Sequence, residues 1–383
     1  MDVMSTATVI PIAPAAPPPS VRLEPLRAPF PWFGGKSRVA PLVWDRFGAD
    51  VKNYVEPFAG SLAVLLARPH APGVETVNDL DCYVANFWRA LQADSGALAE
   101  WCDGPINETD LHARHLWLVN RAEFRERMKT EPEYFDVKIA GWWVWGICQW
   151  IGSGWCSQTQ RTGRTHGSQR EREIPDHVER VKRTHPHLTS AQGVHAPGRP
   201  RRKIPNIADG GQRGVLQPSR KLPSIGHDGN GINSARRPLD EEYGLDLWLW
   251  QLARRLTRVR VCCGDWRRIL TPAPTTQIGT TAVFLDPPYA VDDRDDVYGE
   301  ESRGLAHDVR EWAIANGNNP DLRICLAGYE DEHAMPPEWK AVAWKANGGY
   351  ANQRDGETRG RANALRETLW FSPACLEPQG RLF

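Results

Sequence analysis

Residues 54–91 constrain the fold more than any other stretch of the 383-residue chain. "NYVEPFAGSLAVLLARP" reads as a strand, a glycine turn and a helix closed by Pro69. "ETVNDL" reads as a second short strand ending in acids. "DCYVANFWRALQ" then has helical periodicity, with Val84, Phe87, Trp88 and Leu91 on one face. Strands that alternate with helices at this spacing lie parallel in a sheet covered by helices on both faces. The expected class is therefore α/β, with a Rossmann-like sheet.

The remaining chain fills out and interrupts that sheet. Residues 1–28 read as a disordered Pro/Ala-rich tail without the basic start and apolar core of a secretory signal. "FPWFGGKSRVAPLVWDRF" predicts a glycine turn and a short helix. Residues 29–100 and 243–383 are expected to form one domain, split by an insert at 101–242. The insert begins tryptophan-rich and helical, with most of its indoles expected in a core. It continues over 157–240 as a long basic loop in which "RKIPNIADGGQRGV" is echoed by "RKLPSIGHDGNGIN". Regular structure returns with the amphipathic helix "GLDLWLWQLARRLTRV" and the strand candidates "RVRVCCGDW", "TAVFLDPPY", "LRICLAGY" and "ETLWFSP".

Net charge is zero, but residues 156–237 hold sixteen Lys/Arg against six Asp/Glu. Such an excess suits a phosphate-contacting surface. No apolar run reaches membrane-spanning length. The eight cysteines have no C-x-x-C spacing, as expected of reduced, partly buried thiols in a cytoplasmic protein. "HPH" at 185–187 is explained by a polar loop, and no metal is expected.

The chemistry-bearing residues follow the strands. In "VEPFAGS", Gly60 opens the backbone to a ligand where the amides of the next helix are expected to be free. The stretch is neither a Walker A loop nor G-x-G-x-x-G. "NDLD" ends the next strand; Asp79 is placed to accept from ribose hydroxyls, and Asp81 either shares that role or caps the following helix. In "CGDW", Asp265 can accept from an adenine amino group and Trp266 can pack on the ring. "FLDPPY" places Asp286 and the Pro287 carbonyl as two acceptors for an exocyclic amine, fixed by Pro287 and Pro288. Tyr289 can stack on the base. Two acceptors on one amine draw its delocalised lone pair toward nucleophilic geometry.

With "PFPWFGGKS", "YVEPFAGSLAVLL", "VNDLD", "NFWRAL", "GDW", "FLDPPY" and "RETLWFSP" in that order, the chain resembles the Dam-like group of adenine-N6 DNA methyltransferases. The resemblance covers residues 29–91 and 243–372. It implies a Rossmann-like methyltransferase fold with an inserted target recognition domain, mainly helical and loop-rich. It implies S-adenosylmethionine as cofactor, double-stranded DNA as partner and a flipped-out adenine as substrate. Trp32, Gly34, Gly35 and Lys36 match the segment that closes over the cofactor. Glu56, Pro57, Phe58, Ala59 and Gly60 match the cofactor-binding turn, Asp79 the ribose-binding acid, and Asp265 with Trp266 the cofactor's adenine side. Asp286, Pro287, Pro288 and Tyr289 match the catalytic tetrapeptide. DNA phosphates are assigned to Arg161, Arg164, Arg201, Arg202 and Lys203. Rival readings change the substrate to cytosine N4, RNA or a glutamine side chain, or make the chain an inactive DNA-binding relative. Within the resemblance, an aspartate at 286 favours adenine over the cytosine and glutamine groups. The target sequence and a restriction, phage or regulatory setting stay open, and no obligate protein partner is evident.

Overall fold

The structure, a computed structural model, describes residues 26–32, 34–150, 155, 156, 232, 244–288, 299–330, 332–344 and 367–377. Their centre is a seven-stranded sheet. Its strands are β1 (Asn53–Glu56), β2 (Val74–Asp79), β3 (Val259–Cys263), β4 (Thr281–Leu285), β5 (Leu322–Tyr329), β6 (Lys340–Ala343) and β7 (Glu367–Phe371). They lie in the order β3-β2-β1-β4-β5-β7-β6. The first five are mutually parallel, while β7 runs antiparallel between β5 and β6. β1, β4 and β7 are buried along their whole length, as strands covered on both faces must be.

The pleat divides their side chains between two cores. Tyr54, Ala282, Phe284, Cys325, Ala327, Leu369 and Phe371 face one. Val55, Val283, Leu285, Ile324, Leu326 and Trp370 face the other.

The helices are α1 (Ala40–Phe47), α2 (Ala63–Leu66), α3 (Cys82–Ala93), α4 (Ser95–Cys102), α5 (Glu108–Val119), α6 (Ala122–Thr130), α7 (Val137–Ile147), α8 (Gly244–Leu256) and α9 (Gly299–Asn316). α3 buries Val84, Phe87, Trp88 and Leu91, the face read from its periodicity. Asp81 caps it, accepting from the Tyr83 amide at 2.8 Å. α2 is a single turn, shorter than its sequence suggests, and begins after Leu62 at φ 56°.

The tryptophan-rich helix α7 packs on α3 and α4 within the first core. A Cβ on Gly141 would lie 2.3 Å from that of Trp101, so the glycine sets how closely α7 crosses α4. Trp143, Trp145 and Trp150 are buried. All eight cysteines are free thiols. The basic stretch 157–240 lies outside the described residues except for Ile232, so its expected loop and repeats have no structural account here.

Candidate active site

The acids picked out by sequence gather at one edge of the sheet. Glu56 ends β1, Asp79 ends β2, and Asp286 follows β4. The strands neighbour one another in the order β2-β1-β4. Chain order reverses between β1 and β4, and ligands of open α/β sheets bind at such a point, beyond the carboxyl ends of the strands.

The turn after β1 is tied down from several sides. Gly60 sits at φ +45°, and a Cβ there would come within 2.3 Å of Trp32 Nε1. The Gly60 amide donates to Asp79 Oδ2 at 2.9 Å, and Trp88 Nε1 donates to the Gly60 carbonyl at 3.0 Å. Asn78 donates to the carbonyls of Pro57 and Gly264, joining this turn to the one after β3. Several amides of the turn itself are bonded within the chain. Ala59 donates to the Asn78 carbonyl, Gly60 to Asp79 and Leu62 to the Ala59 carbonyl. The turn presents glycine backbone against an indole, beside a carboxylate.

Asp79 also accepts from the Asp81 amide at 2.9 Å. Burial, aided by the Asp81 charge, pushes its carboxyl up to about 7 against these amide bonds. Asp265 caps the short 3-10 turn Trp266–Ile269 by accepting from the Arg267 amide, and also pairs with the Arg267 guanidinium at 3.3 Å. Trp266 is buried in the second core, its ring 6.0 Å from that of Phe58, and its Nε1 has no hydrogen-bond partner among the described residues.

The Gly-Gly-Lys turn aims a cation at Asp286. Gly34 takes φ +68°, and a Cβ there would stand 3.3 Å from Lys36 Nζ. Lys36 folds back to donate to the Gly34 carbonyl at 2.8 Å. Its buried ammonium lies 3.0 Å from Asp286 Oδ1 and 3.6 Å from Glu367 Oε2. Trp344 covers it, with the ring centroid 5.8 Å away.

Glu367 received no role from sequence. It begins β7 opposite Tyr329 at the end of β5, and because β7 is antiparallel its first residue reaches the edge where the parallel strands end. The available signal was an acid opening a strand whose last three residues, "LWF", are apolar.

Glu56, at the end of β1 beside β4, is buried and accepts from the Tyr54 hydroxyl at 2.9 Å. Burial pushes it up to about 8, the Asp286 charge adding to the effect.

Pro287 is buried and Pro288 exposed. Tyr289, Arg161, Arg164, Arg201, Arg202 and Lys203 lie outside the described residues. Gly35 is exposed between Gly34 and Lys36.

Residues 32–138 match the family model of the D12 class N6 adenine-specific DNA methyltransferases. That stretch holds the Gly-Gly-Lys turn, the β1 turn and Asp79, while Asp286 and Glu367 lie beyond it. No curated protein matches the chain.

Proposed function

We infer from this match that the chain is an adenine-specific DNA methyltransferase, and we propose that it draws its methyl group from S-adenosylmethionine and acts on an adenine flipped out of the duplex. The observation that carries the reading is Asp286, held by Lys36 at the strand-order switch point.

The site suits the cofactor. Its acids, Asp79 and Asp286, can meet hydroxyls and a cationic centre, and Gly60 lets the Trp32 indole close against the turn where a Cβ would collide. Trp32, Gly34, Gly35 and the turn Glu56 to Gly60 would hold it, with Asp79 on the ribose and Asp265 and Trp266 on the adenine side. When bound, it supplies a methyl group on a sulfonium sulfur, which passes to the adenine nitrogen as a thioether is left behind.

Asp286 and the Pro287 carbonyl accept the two N–H bonds of the adenine amine, and the stiff Pro287-Pro288 backbone keeps both acceptors fixed. Tyr289 stacks on the base. The methylated nitrogen then sheds one proton, first to the Asp286 carboxylate and from there to solvent. A paired adenine cannot present its amine this way, which is the reason for flipping. Arg161, Arg164, Arg201, Arg202 and Lys203 would contact phosphates and position the duplex.

The test is mass spectrometry of nucleosides from duplex DNA incubated with the protein and S-adenosylmethionine. N6-methyladenine is expected. N4-methylcytosine, or no methylated base, would overturn the reading.

A further inference from the structure

Glu367 opens a strand whose five residues are all buried. A carboxylate there is costly unless its charge is compensated. Among the described residues Lys36 faces it as a cation, and Lys36 is shared with Asp286. Of the two carboxylates Asp286 is the more open, its side chain 21% exposed against 7% for Glu367. Neutralising Asp286 alone would need no second acid. Satisfying Glu367 alone would need no turn that folds Lys36 back onto Gly34 and against Asp286. The arrangement links three chain segments, before α1, after β4 and at the start of β7, through one ammonium.

We propose that Glu367 is a positioning residue for methyl transfer: it anchors Lys36, and Lys36 fixes the Asp286 carboxylate through Oδ1 so that Oδ2 is kept for the adenine amine. This rests on the reading of Asp286 as the amine acceptor. Two physical effects support it. The terminal torsion of an aspartate is soft, and an ion pair at Oδ1 removes that freedom. An ammonium given wholly to Asp286 would also weaken it as an acceptor, whereas Glu367 draws part of that charge away. Glu367 itself need touch neither cofactor nor base.

The experiment is a double-mutant cycle on the full chain, read by single-turnover methylation of duplex DNA. Glu367→Gln keeps shape and removes charge; Lys36→Met keeps length and removes the ammonium. Glu367→Gln is expected to slow transfer by about 10–100-fold, the scale of a misplaced catalytic group. S-adenosylmethionine affinity should stay near parental. Lys36→Met should be at least as slow, and adding Glu367→Gln to it should cost less than about two-fold more. Multiplying losses would overturn the proposal, as would a parental rate in Glu367→Gln.

If Glu367→Gln melts early, Glu367→Asp takes its place. It keeps the charge on a shorter stem, and its partial loss of rate must vanish in the Lys36→Met background. A readout free of turnover is acylation of the Lys36 amine in the protein without cofactor. Labelling should be slow in the parent and faster in Glu367→Gln, and unchanged labelling would also overturn the proposal. A parental protein that leaves adenine unmethylated instead refutes the reading of the site, and the proposal with it.

Discussion

Glu56 and Asp79 show how burial sets the charge of single residues at this site. The folded chain raises Glu56 from an ordinary 4.5 to about 8 and Asp79 from 3.8 to about 7. A raised carboxyl means that the folded protein keeps a proton which the unfolded chain releases. The resulting stability is complete below the ordinary value and is lost as pH rises through the folded one. The cofactor-free parent should therefore lose stability relative to Glu56→Gln between pH 4.5 and 8, by at most about 1.4 kcal/mol per pH unit. Denaturant melts of both proteins across that window check it; parallel curves would mean that Glu56 is ionised throughout. Asp79 carries a separate expectation. If it accepts from ribose hydroxyls, Asp79→Ala weakens S-adenosylmethionine binding by about 1–3 kcal/mol, measured by calorimetry. Unchanged affinity in a folded Asp79→Ala protein would move that role elsewhere. Asp81, the other residue considered for it, is committed to capping α3.

Among the elements, those with strong local signals were legible. β4, β5 and β7 are largely apolar, β1 and β2 are short mixed stretches beside glycine turns or acids, and α3 and α8 have clear helical stripes. β6 was not read, because its exposed, four-residue "KAVA" offers neither alternation nor length. α9 was not read either; its sequence "GEESRGLAHDVREWAIAN" opens polar and carries only a weak apolar stripe. Glu56, Asp79 and Asp286 were visible because each ends or directly follows a strand. The Lys36–Glu367 pair was not, because its members stand near opposite ends of the chain and only an antiparallel β7 brings them together. α7 shows an element fixed by one small residue. Gly141→Ala would push a methyl group to 2.3 Å from Trp101 Cβ and 2.8 Å from its backbone carbon, forcing α7 off α4. The expected cost is about 1–3 kcal/mol in chemical denaturation. Because Trp143 on α7 lies against Phe30 and Trp32, cofactor affinity should fall as well. A parental midpoint would show that the two helices can separate without cost.

At the scale of the whole molecule, the catalytic half and the basic stretch are expected to contribute different terms. If the Lys/Arg excess at 156–237 meets phosphates, log K for DNA falls linearly with log salt. Neutralising Arg201, Arg202 and Lys203 together should flatten that slope by up to about 0.9 for each phosphate left without its cation, and leave S-adenosylmethionine affinity alone. An unchanged slope would make the stretch a solvated linker. The proposed chemistry depends on segments far apart in sequence meeting at Asp286, with Lys36 brought from before α1 and Glu367 from β7. The central claim is that Asp286 holds the adenine amine rather than the cofactor or the fold. Single-turnover methylation by Asp286→Ala, run beside its thermal melt and its affinities for S-adenosylmethionine and DNA, tests that claim most directly. The account predicts a folded protein that binds both and transfers methyl about 10²–10³ times more slowly, the scale of losing one preorganised hydrogen-bonding group. A near-parental transfer rate in that protein would contradict it.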